Sequence, residues 1–106
     1  MTRDDIDWAG PMPALTTPFL PDGSVDFDGF AANFDRLLGA GATGGVVAGC
    51  TGEFWALSLE EKAALARTAV RTAAGRGPVI VGAAAITACE VVEIAAAAAE
   101  AGADAI

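Results

Sequence analysis

Apolar positions along this chain fall into two alternating patterns. Short, nearly unbroken apolar runs bounded by Gly or Pro alternate with longer stretches in which apolar residues return every three or four positions. The run 12–19, "MPALTTPF", predicts a first strand stopped by Pro18. Phe27, Phe30, Phe34, Leu37 and Leu38 then follow helical spacing with one core-directed face. Asp26 is the expected N-cap, with Val25 stapled onto Phe30, and Gly39 and Gly41 end the helix. A second strand is expected over about Gly45 to Ala48. Ser58-Leu59-Glu60-Glu61 is a capping box opening a helix to about Ala74, closed by "GRG". The segment 78–83, "PVIVGA", is apolar at every position and predicts a strand buried on both faces. Thr87-Ala88-Cys89-Glu90 forms another capping box, with Ile86 and Val91 as its staple. An Ala-rich helix runs to about Ala101, Gly102 ends it, and "ADAI" begins a fourth strand.

Strands alternating with helices at roughly thirty-residue spacing mean βαβ units and a parallel sheet. Short helix-to-strand turns and longer strand-to-helix loops fit a (β/α) barrel, whose chemistry sits on the longer loops. The sequence ends inside a strand, which leaves a parallel sheet with an uncovered edge. Residues 10–106 therefore read as α/β, the N-terminal half, about four strands, of a (β/α)8 TIM barrel, with residues 1–9 as a tail. A whole barrel takes about 250 residues. A complete small doubly wound domain is the competing architecture.

Composition narrows the function classes. Of 106 residues, 54% are hydrophobic, so the chain has the means to form a core. The formal net charge is −8, with one lysine, Lys62, and five dispersed arginines. That balance argues against nucleic-acid and anionic-membrane partners, which need concentrated positive charge. The start, "MTRDDIDWAG", is acidic, and no apolar stretch is long enough to span a bilayer; a cytoplasmic protein is expected. Cys50 and Cys89 share no metal-ligand spacing and are expected to be two buried or half-buried thiols. With no histidine and few paired acids at ligand spacing, no metal centre is expected, and no cofactor is expected either. With no tyrosine either, general acid–base side chains are few.

Two glycine-rich turns invite opposite readings. Gly39-Ala40-Gly41-Ala42-Thr43-Gly44 matches GxGxxG, but it follows a helix and opens a strand. A dinucleotide site needs the reverse order, so these glycines are a helix stop and a turn. "GCTGE", 49–53, has the right orientation, leaving the C-terminal end of strand two, where parallel sheets place ligands. Gly49 and Gly52 allow close backbone approach, the Cys50 and Thr51 amides can face a carboxylate, and Thr51 adds a hydroxyl. Glu53 can pin the loop by accepting backbone N–H bonds. On these residues alone, a carboxylate-binding turn and a purely structural turn stay equally open. Lys62, behind its capping box, reads as a solvated helix lysine.

"PALTTPF…DGSVDFDGF", "GCTGEFWALSLEEK", "GRGPVIVGA" and "EAGADAI", in this order and spacing over about residues 10 to 106, resemble the N-terminal half of the dihydrodipicolinate synthase / N-acetylneuraminate lyase family. These are (β/α)8 class I aldolases. The resemblance implies a pyruvate-type 2-oxo acid held as a Schiff base on a lysine, with a catalytic tyrosine, both on strands beyond Ile106. It assigns the substrate carboxylate to Gly49, Cys50, Thr51 and Gly52, with Thr17 and Glu53 supporting the loop and Thr17-Pro18 shaping the same mouth. No catalytic residue falls within the chain. A homo-oligomer, dimer or tetramer, is implied for the intact protein.

Two departures stand out. Cys50 replaces the Thr or Ser that in the synthases is thought to relay a proton to tyrosine, and a thiol donates and accepts poorly. Phe54 and Trp55 replace small residues in a stretch that, in regulated synthases, helps form a lysine effector site at a subunit contact. Large rings there fill such a site, and Gly-Glu-Phe-aromatic also resembles the sugar-acid dehydratase branch, such as 5-dehydro-4-deoxyglucarate dehydratase. Three functions follow: part of a Schiff-base lyase or aldolase, such a dehydratase relative, or an inactive half-barrel that pairs with itself.

Overall fold

The computed structural model describes residues 2–106. After a 3-10 turn at Arg3–Asp5, the regular elements are α1 (Phe27–Gly39), β1 (Gly45–Val47), a second 3-10 turn (Phe54–Ala56), α2 (Leu59–Ala73), β2 (Val79–Val81) and α3 (Ala88–Glu100). β1 and β2 pair in parallel, Gly45 beside Val79 and Val47 beside Val81. The sheet extends on both sides by single parallel bridges, Ala14 to Val46 and Ile80 to Ala105. Four chain segments thus lie side by side in sequence order, as four successive strands of a barrel wall.

The fourth begins within "ADAI" as the sequence predicts, whereas the first is shorter than predicted. The 12–19 run keeps one bridge, in which Leu15 N–H donates to Val46 and Val46 N–H to the Pro13 carbonyl. Pro13 and Pro18 offer no N–H, which limits ladder formation around it. Phe19 turns back to pair antiparallel with Val25 instead.

The helix caps form where the sequence sets them. Asp26 Oδ1 accepts from Gly29 N–H at 2.9 Å, and Val25 and Phe30 are buried in one cluster. Ser58 and Glu61 bond reciprocally at 2.9 and 3.1 Å, as do Thr87 and Glu90 at 3.1 and 3.3 Å. Each box satisfies amides that the first helical turn leaves without partners. The expected Ile86–Val91 staple is absent: Ile86 is 100% exposed. Ala83 and Ala85 of its loop pack against the core, and the Ile86 side chain is left outside.

Helices pack on one face of the sheet only. Phe30, Phe34 and Leu38 of α1, Leu65, Ala66 and Ala69 of α2, and Ile94 and Ala98 of α3 close over Val47, Val79 and Val81. Val46 and Ile80, one position along, point the other way and are half-buried. The 78–83 segment is therefore buried on one face rather than both, because among the described residues no helix or strand covers the second face. The extents, 33 × 32 × 19 Å, are those of a shell with strands inside and helices outside.

Candidate functional site

The C-terminal end of β1 carries the turn singled out by the sequence. Ala48, directly after β1, takes a left-handed backbone, φ 53°, as does Glu53, φ 57°. A β-carbon in that region is costly, so the chain is bent sharply at both ends of Gly49–Gly52 by the surrounding structure. Between these bends three of the four carbonyls are engaged. The Gly49 carbonyl accepts from Phe54 N–H at 3.3 Å and that of Cys50 from Glu53 N–H at 3.0 Å. The buried Gly52 carbonyl accepts from Thr17 Oγ1 at 2.8 Å. The amides of Cys50 and Thr51, in contrast, donate to no acceptor among the described residues. Both residues are exposed. With three of its four carbonyls engaged and the amides of exposed Cys50 and Thr51 free of acceptors, the turn has N–H groups to offer, an arrangement that attracts anions.

Thr17 is 6% exposed and reaches the turn from the first strand segment, 35 residues away in sequence. Its hydroxyl joins two neighbouring strand ends. The Glu53 side chain is exposed and accepts none of the turn's backbone N–H groups; only its main chain holds the loop. Cys50 and Cys89 are both exposed, contrary to the expectation of buried thiols. Cys50 sits at the outer part of the turn, and Cys89 lies in the first turn of α3, where the flanking loop gives no cover.

Beside the turn, Phe54 and Trp55 pack edge to face, with centroids 5.3 Å apart and planes at 73°. Lys62 lies beneath them, its ammonium 5.6 Å from the centre of the Phe54 ring. It is 9% exposed, so the expectation of a solvated lysine is corrected. Lys62 shares the buried face of α2 with Leu65, Ala66, Ala69 and Ala73, one helical turn and more along, and the Phe54 ring lies against its ammonium. Lys62, Phe54, Trp55, Leu59, Ile86 and Glu90 line a cleft of about 360 Å³. The Thr87 hydroxyl and amide hydrogen bonds hold the Glu90 carboxyl below the usual carboxylate range, and the Lys62 charge adds to this. Trp55 is 66% exposed, which with Leu59 and Ile86 leaves an apolar surface at the cleft rim.

Comparison with known proteins places this geometry. The family model for the dihydrodipicolinate synthetase family matches residues 7–106. The chain belongs to the dihydrodipicolinate synthetase family. It is 43% identical over 97 residues to 4-hydroxy-tetrahydrodipicolinate synthase of Agrobacterium fabrum, an alignment covering 92% of this chain and 33% of that protein. Dihydrodipicolinate synthase DapA-2 of Bacillus anthracis superposes with a TM-score of 0.88 at 35% identity, over 93% of this chain and 34% of that one. A prophage protein of the same family from E. coli K12, solved in complex with pyruvate, superposes with a TM-score of 0.85 at 39% identity, over 92% and 33%. The chain thus spans about a third of the length of these relatives. Its fold is the N-terminal part of their (β/α)8 barrel, so the turn lies at the C-terminal ends of the barrel strands, the face where such barrels build active sites. Among the described residues no helix is long and apolar enough to cross a membrane.

The Thr17–Gly52 hydrogen bond agrees with the loop support that the resemblance implied for Thr17, whereas two elements of the setting were missed. One is the burial of Lys62. The other is Gly82, after β2, which the sequence reading absorbed into a strand; a glycine where two parallel strands both end was the available signal.

Proposed function

We propose that this chain supplies the carboxylate-binding part of a Schiff-base lyase or aldolase acting on a pyruvate-type 2-oxo acid. The observation that carries the proposal is the 49–53 turn, with three carbonyls engaged and the Cys50 and Thr51 amides left without partners. Family membership supports it, as does the pyruvate held by a family neighbour. Gly49, Cys50, Thr51 and Gly52 bind the carboxylate, and Thr17 fixes the turn. The covalent step requires a lysine amine to attack the ketone carbon with loss of water. Lys62, the one lysine in the sequence, lies on α2 beneath Phe54 and does not serve this role. The sequence also has no tyrosine to move protons. Residues 1–106 therefore bind without turnover, and the covalent chemistry belongs to later strands of the barrel. The working protein is cytoplasmic, needs no cofactor, engages neither nucleic acid nor membrane, and is a homo-oligomer with Trp55, Leu59 and Ile86 at a subunit contact.

Titration of 15N-labelled 1–106 with pyruvate tests the proposal. The Cys50 and Thr51 amide resonances are expected to move together and saturate, and borohydride is expected to trap no adduct on this chain. Pyruvate shifts confined to other residues, or none up to tens of millimolar, would overturn the carboxylate assignment. A trapped adduct on Lys62 would overturn the division of labour.

A further inference from the structure

Resting on the carboxylate reading of the 49–53 turn, we infer that Gly82, at the exit of β2, is a positioning residue for that turn and acts through Ala48. Gly82 N–H donates to the Val47 carbonyl at 2.7 Å, drawing the end of β1 against the end of β2. Its own φ lies outside the left-handed region, so backbone conformation does not demand a glycine here. Space does. A β-carbon at position 82 would fall well inside contact distance of the Ala48 carbonyl oxygen, 2.9 Å from the Ala48 carbonyl carbon and 3.0 Å from Gly49 Cα. These are backbone atoms, which cannot rotate away as a side chain does. On the opposite side, a β-carbon on Gly52 would lie 3.0 Å from the Leu15 carbonyl oxygen and 3.1 Å from Ala48 N and Cα.

The turn is thus wedged between two neighbouring strand ends. The left-handed Ala48 sits against Gly82, and Gly52 sits against Leu15 and Thr17. The peptide joining Ala48 to Gly49 directly precedes the one that carries the Cys50 amide. Any displacement of the Ala48 carbonyl rotates that plane and re-aims the donors. A grip of two amides tolerates errors of only about 0.5 Å, less than a methyl at position 82 would impose. The same wedge holds Ala48 in a conformation that alanine rarely adopts, so the donors are fixed before a ligand arrives.

Gly82→Ala and Ala48→Gly, each in 15N-labelled 1–106, test this, with Gly39→Ala as control because an added β-carbon there meets nothing within 4 Å. Gly82→Ala is expected to shift the Cys50 and Thr51 amide resonances in the ligand-free protein. It should also weaken pyruvate about tenfold, the worth of one charge-assisted hydrogen bond. Ala48→Gly keeps the space but frees the backbone. Faster hydrogen exchange at Cys50 and Thr51 and about threefold weaker pyruvate binding are expected, with an unfolding midpoint no lower than that of wild type because glycine relieves the left-handed strain at position 48; a merely structural role would not weaken the turn without loss of stability. A folded Gly82→Ala with unmoved amides and full affinity overturns the inference. Should Gly82→Ala fail to fold, Ala48→Gly decides it: unchanged exchange and affinity overturn the inference. Wild-type protein that ignores pyruvate refutes the carboxylate reading alone, and the ligand-free amide shifts and exchange rates then decide whether Gly82 sets the turn.

Discussion

Thr17→Val isolates the hydrogen bond on which the turn depends. The Thr17 hydroxyl is buried and donates to the buried Gly52 carbonyl at 2.8 Å. Valine matches threonine in shape, so packing survives while the carbonyl loses its partner where water has little access. An unsatisfied buried acceptor costs about 1–3 kcal/mol, and the extra methyl returns only part of that, so a loss of about 1.5 kcal/mol is expected. Thr17→Ser makes the opposite change, keeping the hydroxyl and losing one methyl, worth about 0.8 kcal/mol. Urea unfolding followed by circular dichroism measures both, with unchanged slope as the sign that only stability moved. For a chain of this size the valine variant should melt about 6–12 °C lower. Pyruvate affinity should fall for valine and persist for serine. Equal stability of Thr17→Val and wild type, or a serine variant less stable than the valine one, would refute the hydroxyl as the link between the strand ends.

Three further outcomes follow from local geometry. Because hydrogen bonds from Thr87 hold the Glu90 carboxyl below its ordinary value of 4.5, its contribution to folding is complete above that value. It is lost as pH falls through the lowered folded value; Thr87→Val should bring Glu90 back toward the ordinary value in a carboxyl 13C titration, and an unmoved titration would count against the capping box. Lys62→Met keeps the buried stem while removing a cation 5.6 Å from the Phe54 ring. It should stay within about 1 kcal/mol of wild type because cation–π loss and relief of desolvation oppose each other, whereas Lys62→Ala should cost about 2 kcal/mol in packing; equal denaturation midpoints for the two would deny the burial. Ile86→Asp, at a fully exposed position, should change unfolding by less than about 0.5 kcal/mol yet weaken self-association in sedimentation, and an oligomer indifferent to it would remove Ile86 from the proposed subunit contact.

What the sequence made legible was local chemistry. Asp26, the Ser58–Glu61 box and the Thr87–Glu90 box each combine a start signal with helical periodicity, and all three helices begin where those residues lie. The parallel order of the strands follows from their spacing. Strand length did not, because Pro13 and the reversal at Phe19 act against an apolar pattern that looks continuous. Burial on both faces of 78–83 was misjudged for a different reason: composition shows what a face could bury, not whether an element lies over it. Lys62 was misjudged for a third reason: it falls at helical spacing with Leu65, Ala66, Ala69 and Ala73 on the buried face of α2, and its charge, rather than its position, suggested solvent. At the site, residue type located the turn, whereas the wedge around Ala48 is a relation between three strand ends and no single segment contains it.

Because residue 50 offers the carboxylate its amide rather than its side chain, binding and proton movement separate there. An amide donor at that position exists whatever the side chain, so the proposed carboxylate grip is insensitive to Cys in place of Thr or Ser. The side chain bears only on what the resemblance assigns to it, relay of a proton toward a tyrosine outside residues 1–106, and there a thiol serves less well than a hydroxyl. Cys50→Thr should therefore leave pyruvate affinity of this chain unchanged. Under that assignment it should alter turnover only in a full barrel that supplies a lysine and a tyrosine. A Cys50→Thr variant that binds pyruvate more tightly would mean that the side chain touches the carboxylate, and the donors would then have to be recounted with that hydroxyl among them. The turn would remain the site, but its geometry would be fixed by residue 50 as much as by Gly82 and Thr17.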